Sequence, residues 1–163
     1  PMAGTQYSGF GHARANLYHN APMVIVPPAF DNIELLSRVQ ELLRPAGFGS
    51  YSVTTAEKHD EMIAFLSQLT HCIAVTLMCC NNTPDLEYYT GDSFRDLTRI
   101  ARINDEMWSE LFLDNKDMLL AEMRSFKQSF EELYEKIETG DRDGIREMMR
   151  LSTERRKRFN KHL

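Results

Sequence analysis

Cysteine is scarce in this chain of 163 residues: there are three, Cys72, Cys79 and Cys80. Two are adjacent and all fall in one apolar segment, which excludes a disulfide framework and a zinc-ligand pattern. His12, His19 and His162 have no metal-ligating spacing either, so no metal is expected. Cysteines used this way point to a reducing, cytoplasmic compartment. Basic charge is also short. Nineteen Lys plus Arg against 24 Asp plus Glu give a net charge of −5, which argues against nucleic acid as a partner, since that partner demands a basic face. No apolar run approaches the roughly 20 residues needed to span a bilayer, so no membrane partner is expected. The chain has no secretory signal, and it begins at Pro1 with no initiator methionine, so it reads as starting partway through a domain. It has no internal repeat and no low-complexity tract. What remains, 42% hydrophobic and 26% charged residues, is ordinary for a globular protein of one domain or one domain plus part of another.

Two regions read differently. In residues 1–53, Met23-Val24-Ile25-Val26 is a short β-branched run ended by Pro27-Pro28, which suits a buried strand. Asp31 opens a helical pattern carried by Ile33, Leu35, Leu36, Val39, Leu42 and Leu43, and Pro45-Ala46-Gly47 ends it. Gly49 to Val53 reads as a second strand. Strand, helix, strand predicts a βαβ unit with a parallel pair. One such unit cannot bury both faces of a sheet, so residues 1–53 read as the end of a larger α/β domain.

From Thr54 onward the strand signals vanish. Thr54-Thr55-Ala56-Glu57 has the form of a capping box, threonine followed three residues later by glutamate. A long helix follows, to about Cys80, with Met62, Phe65, Leu66, Leu69, Ile73 and Leu77 as its apolar stripe. Val75, Ala64, Ala74 and Cys79 extend the apolar surface, so this helix is expected to be buried nearly all round. Two shorter helices are predicted over Phe94–Arg102 and Glu106–Leu113. Leu119, Met123, Phe126, Phe130, Leu133 and Ile137 then form a heptad-type seam closed at Gly140, able to pack along a partner helix within the chain or across a dimer. A last helix starts after Asp141 and ends in Arg155-Arg156-Lys157-Arg158, basic residues that complement a helix C-terminus. The expected class is mainly α, with a partial α/β beginning and an all-helical remainder.

Two constellations are candidates for chemistry. His71 lies on the long helix almost opposite the centre of the apolar stripe, with Asp60, Ala64, Ser67, Ala74 and Met78 within about 60° of it at helical spacing. Small and polar neighbours leave room for a ligand; the alternative is a solvent-facing histidine. Arg95, Asp96 and Arg99 follow Gly91 and stand at i, i+3 and i, i+4 spacings. Arg99, bracketed by apolar residues, is expected to serve as an anion clamp oriented by Asp96, since a planar carboxylate is the partner a guanidinium fits best. The alternative is a surface ion pair worth a few tenths of a kcal/mol. His59 beside Asp60 reads as a hydrogen-bonded structural pair, and the nine methionines as core filler.

Five runs taken in order carry a resemblance. They are Pro1-Met2-Ala3-Gly4-Thr5 with Ser8-Gly9; Glu57-Lys58-His59-Asp60; Ser67-Gln68-Leu69-Thr70-His71; Gly91 to Ala101; and Met107-Trp108 with Phe112-Leu113-Asp114-Asn115. Across nearly the whole chain the sequence resembles prephenate dehydrogenase. The resemblance implies a bidomain enzyme, with a dinucleotide-binding Rossmann domain followed by a helical domain that dimerises and an active site in the cleft between them. On it, residues 1–53 are the C-terminal end of the Rossmann domain and residues 54–163 the helical dimerisation domain. The glycine-rich phosphate loop is then expected upstream. So is the family's catalytic histidine, immediately before Pro1, which leaves this fragment without a catalytic residue of its own and inactive alone.

The implied reaction is oxidative decarboxylation of prephenate to 4-hydroxyphenylpyruvate in tyrosine biosynthesis, with NAD or NADP as cofactor. Arg99 matches the family's substrate-carboxylate arginine, and His71 its second histidine beside the substrate. Thr5, Ser8 and Trp108 match residues lining the cleft, with Asp96, Ser67 and Gly4 in support. The implied partners are a second copy of the chain and a small dicarboxylate. Gln68 and Thr70 stand where many members have histidine and proline, and Asp92 and Ser93 where many have glycines; these departures fall near the expected substrate side chain. Two alternatives stand beside this reading: arogenate as substrate, and a non-catalytic helical module that dimerises or senses an anionic metabolite.

Overall fold

The computed structural model describes residues 1–5, 7, 9–29 and 33–159. The described chain is mainly helical with a small parallel sheet. Strands β1 (Pro22–Ile25) and β2 (Ser50–Val53) pair in register from Pro22 opposite Ser50 to Ile25 opposite Val53. The crossover between them carries helix α1 (Ile33–Leu43). The expected opening of α1 at Asp31 lies outside the described residues. Its end is as expected: Pro45 sits in a short 3₁₀ turn, and Gly47 closes it in the left-handed region at φ +69°, where a side chain would be strained. Only Ile25 of β1 is buried. The expected buried strand is therefore half-covered, and Ile33 and Leu42 of α1 are largely exposed.

The helical part begins with α2 (Ala56–Ile63). Its N-cap is Thr55, whose side chain accepts from the Lys58 amide at 3.1 Å. The expected box on Thr54 and Glu57 is displaced by one residue, for a reason visible in the sheet. The Thr54 amide donates to the Ile25 carbonyl at 3.0 Å and prolongs the β1–β2 ladder, leaving Thr55 as the first residue free to cap. Glu57 still lies in the first turn, where a negative charge opposes the helix dipole.

The helix does not continue as plain α. Residues Ala64–Leu69 form a π-helical segment, and α3 (Thr70–Cys79) resumes beyond it. A π turn widens the helix and shifts the phase of everything after it, so angular arithmetic at 100° per residue does not carry from Asp60 to His71. Ala64, Gln68, Leu69 and Ala74 are the buried positions. Phe65 and Leu66, assigned to the apolar stripe by the sequence, are about half exposed in the single chain, and the expectation of burial nearly all round fails.

The continuous stretch Ala56–Cys79 is 24 residues long and holds an 18-residue window of mean hydropathy 1.7. By length and composition it is apolar enough to cross a membrane, contrary to the expectation from the sequence. The core helix of a soluble protein meets the same test, and this one buries a hydrogen-bonded glutamine at its centre.

Three further helices follow a short one. Helix α4 (Asp92–Thr98) passes into a 3₁₀ turn over Arg99–Ala101. Helix α5 (Asp105–Asp114) is capped by Asn104, whose side chain accepts from the Met107 amide at 3.0 Å. Helices α6 (Lys116–Glu138) and α7 (Arg142–Lys157) are joined through Gly140 at φ +70°, and Asp141 caps α7 by accepting from the Gly144 amide at 3.0 Å. Both the turn and the cap fall where the sequence placed them. The chain forms two compact units, Pro1–Leu119 and Leu120–Leu163, divided within α6. Leu119 is buried in the first. In the second, the seam residues Phe130 and Ile137 are about 60% exposed.

The cap assignment is testable. Thr55→Ala should lower stability by about 0.5–2 kcal/mol in chemical denaturation, the usual value of an N-cap. Thr54→Ala should stay within about 0.5 kcal/mol of wild type, because only its backbone is used. The reverse order would return the cap to Thr54.

Candidate functional site

The π turn sets the local geometry. The Ser67 carbonyl accepts two side-chain hydrogen bonds, from Thr70 Oγ1 at 2.6 Å and from His71 Nδ1 at 2.8 Å. A carbonyl can only accept, so Nδ1 carries a proton. In the neutral imidazole the lone pair is then on Nε2. Ser67 thus serves through its backbone, and it orients the histidine. The other face of the imidazole problem is solved by Trp108 of α5. The two rings stack with centroids 3.7 Å apart and an interplanar angle of 29°, and Phe112 braces the indole from one turn further on, at 5.6 Å. Ring and indole are both half-buried. The result is an imidazole fixed in tautomer and tilt, held against a flat apolar wall.

A part-buried clasp centred on Gln68 lies one turn away. Gln68 Nε2 donates to the Leu111 carbonyl at 2.7 Å, Asn115 Nδ2 donates to Gln68 Oε1 at 2.9 Å, and the same amide of Asn115 donates to the Asp60 carbonyl at 2.9 Å. The sequence had placed Gln68 near the substrate. Its amide instead faces α5 and is occupied there, with 4% of the residue exposed. Sequence reasoning missed this network. Asn115 appeared only as part of a matching run, and no periodicity announces a π turn.

The arginine segment is arranged differently from the expectation. Its ion pair joins Arg95 to Asp92 at 3.0 Å, and Arg95 also donates to the Thr90 carbonyl at 2.9 Å. Arg99 and Asp96 are not paired; both are exposed. Arg99 begins the 3₁₀ turn, where the helical i, i+3 spacing from Asp96 no longer applies. That turn and α4 both pack against α3, so the backbone carrying Arg99 lies beside the helix carrying His71. Among the described residues, no side chain pairs with the Arg99 guanidinium, whose five donors face no carboxylate there.

The first residues are less defined as a site. Thr5 makes a local turn, its hydroxyl donating to the Tyr7 carbonyl at 3.2 Å and accepting from the Tyr7 amide. A Cβ on Gly4 would meet nothing, so the surroundings do not require glycine there. Ser8 lies outside the described residues. Where β1 ends and α2 begins, an open groove of about 490 Å³ is lined by Val26, Pro27, Pro28, Thr55, Ala56 and Glu57. This is the carboxyl end of a parallel sheet, the usual place for a ligand crevice. His59 and Asp60 form the expected pair, Nδ1 to Oδ1 at 2.9 Å. Among the described residues, no cluster of metal-ligating side chains occurs.

The sequence profile described as prephenate dehydrogenase, dimerization domain, matches residues 55–151, more than half of the chain. The chain belongs to this family. Curated relatives include a cyclohexadienyl dehydrogenase from Zymomonas mobilis, 29% identical over 96% of this chain and 55% of its own length. A prephenate dehydrogenase from Lactococcus lactis is 29% identical over 89% of this chain and 40% of its own. The chain therefore spans about half the length of the curated relatives it matches. Among solved structures, a prephenate dehydrogenase from Aquifex aeolicus, crystallised with hydroxyphenyl propionate and NAD+, superimposes over 98% of this chain and 57% of its own. The TM-score is 0.83 and the identity 28%. The family to which the sequence pointed and the mainly α class with a short parallel β part are both established.

The thiols give a direct check on the packing. Burial beside His71 pushes the Cys72 thiol above its usual range, partly offset by a backbone hydrogen bond, while Cys79 and Cys80 are exposed. The thiolate is the reactive form, so Cys72 should be labelled by a thiol reagent more slowly than Cys79 and Cys80 near neutral pH. The gap should close as pH rises through the raised value, read by mass spectrometry of the labelled peptides. Because the folded thiol titrates above the unfolded one, its contribution to stability is complete below the ordinary thiol range and is lost above it.

Proposed function

We propose that this chain supplies the substrate-binding and dimerising part of a prephenate dehydrogenase, which oxidatively decarboxylates prephenate to 4-hydroxyphenylpyruvate with reduction of NAD or NADP. The observation that carries the reading is the His71 imidazole, fixed by the Ser67 carbonyl and stacked on Trp108, on a helix that packs against the turn of the unpaired Arg99. The names of the relatives and the ligands of the Aquifex aeolicus enzyme support it. Prephenate offers what such a site needs, a cyclohexadiene ring bearing a hydroxyl and one carboxylate, with a second carboxylate on its side chain. Trp108 gives the ring a wall, His71 Nε2 offers a polar contact at its edge, and Arg99 offers a bidentate partner to a carboxylate. Thr5 and Ser8 belong to the same proposed cleft, with Gly4 in support.

Residues 1–53 are proposed as the end of the nucleotide-binding domain and 54–163 as the dimerisation domain. The groove beside β1 has apolar walls suited to an uncharged ring. It offers no cation to a pyrophosphate and carries Glu57, so these residues do not by themselves fit a dinucleotide, and no step is assigned through it. A homodimer is supported by the family's description and by the half-exposed Phe65 and Leu66 of the π segment. Three free thiols are in keeping with a reducing, cytoplasmic setting.

The test is nicotinamide reduction by the product of the complete gene, with prephenate and with arogenate, each with NAD and with NADP. Prephenate turnover is expected. Turnover of arogenate alone would move the substrate, and turnover of neither would leave a binding module. In the active protein Arg99→Ala should cost about 10–100-fold in kcat/KM, the value of a charge-assisted hydrogen bond, with most of it in KM. An unchanged KM would remove Arg99 from the site.

A further inference from the structure

Four contacts run in opposite directions along two helices. Asp60 meets Asn115, Gln68 meets Leu111 and Asn115, and His71 meets Trp108. The rising numbers on one side and falling numbers on the other define an antiparallel ladder between the α2–π–α3 stretch and α5. Trp108, Leu111 and Asn115 are three and four residues apart, so they share one face of α5. Gln68 and His71 are likewise three apart. The clasp and the ring stack are successive rungs.

The clasp also closes a helix end. Leu111 is in the last turn of α5, and its own helical partner, the Asn115 amide, is 3.4 Å away, at the long limit for such a bond. Gln68 Nε2 reaches the same carbonyl at 2.7 Å. Asn115 is the joint itself: it ends α5, and its carbonyl accepts from the Leu119 amide at 3.0 Å as α6 begins. Its side chain cannot drift, since its amide holds both Gln68 and the Asp60 carbonyl. Gln68 is the only buried polar side chain among the described residues, and it sits inside the π turn, next to the Ser67 carbonyl that orients His71.

We propose that the Gln68–Asn115 amide pair is the positioning element of the site, holding α5 against the π turn and thereby fixing the stack of Trp108 on His71. Neither amide touches the substrate in this role; both act through the two rings. The importance of the rings to catalysis rests on the reading given under Proposed function, but the clasp itself does not. Burying an amide here is favourable only with both ends satisfied, because each unmet group costs about 1–3 kcal/mol. The pair therefore behaves as an all-or-none lock.

Trp108 is the single tryptophan of the chain and reports on the stack directly. The decisive variant is Gln68→Glu, studied in the 163-residue chain with wild type alongside. A protonated carboxyl can donate to the Leu111 carbonyl and accept from Asn115, as glutamine does. A carboxylate cannot donate and faces the carbonyl oxygen. The variant should match wild type in Trp108 emission and acrylamide quenching at acid pH. As pH rises it should show red-shifted, more quenchable emission, reversibly, with far-UV circular dichroism unchanged. His59, Asp60, His71 and Asp114 are common to both proteins, so the wild-type curve is the reference. Gln68→Leu should show the loosened signature at every pH if it folds, and Asn115→Ala should reproduce it from the other partner. Superimposable Gln68→Glu and wild-type curves across the range, with the fold intact, would overturn the proposal. Binding of hydroxyphenyl propionate separates the two readings. Weakening by about tenfold in step with the fluorescence, the value of one hydrogen bond, supports both. A fluorescence change with ligand binding untouched keeps the clasp and sinks the substrate site.

Discussion

The π turn at Ala64–Leu69 is the constraint on which the site depends. An α-helix through the same residues would aim Gln68 and His71 by the regular 100° step. In the wider turn the Ser67 carbonyl accepts from the Thr70 and His71 side chains as well as from the Thr70 amide, and the Gln68 amide lies on α5. One backbone irregularity therefore sets three things together: the histidine's tautomer, the contact with Trp108 and the closure of α5. Such segments are stable only when surrounding contacts hold them, and here Asn115 bonds both Asp60 before the turn and Gln68 within it.

What the sequence made legible follows from local rules. The βαβ order, the Gly47 and Gly140 turns and the Asp141 cap are written in residues whose conformational demands are short-range, and they stand where expected. His71 and Trp108 came from spacing and resemblance, and they meet. The failures share a cause as well. The cap moved from Thr54 to Thr55 because a strand claimed the Thr54 amide. Asp96 did not reach Arg99 because the helix tightened to 3₁₀ at that point. The stripe through Phe65 and Leu66 was drawn at a constant period that the π turn breaks. The first is a case of strand pairing overriding a local pattern, the other two are changes of helix type, and none leaves a signature in composition or period.

The exposed apolar residues make sense on the same footing. The single chain leaves Phe65 and Leu66 half in water although they are neighbours of the buried Gln68. A helix whose one face is pinned by Gln68 cannot rotate to hide the other. Its apolar surface is committed to whatever comes to cover it, which agrees with a family described by dimerisation. The hydropathy of Ala56–Cys79 has the same origin: one face packs inside the chain, and apolar side chains such as Phe65, Leu66 and Met78 remain exposed on it.

The last step concerns charge. Arg95 is tied down by Asp92 and Thr90, whereas Arg99, four residues on, is left unpaired among the described residues at the start of the tighter turn. Two arginines in one segment thus have opposite fates, and the difference lies in geometry rather than residue type. Arg95 holds the entry of α4. Arg99 is carried on a turn that packs against α3, the helix that also carries His71. A guanidinium kept free of carboxylates by its own backbone costs the fold almost nothing at an exposed position, and it gains most from a ligand that brings a carboxylate with it.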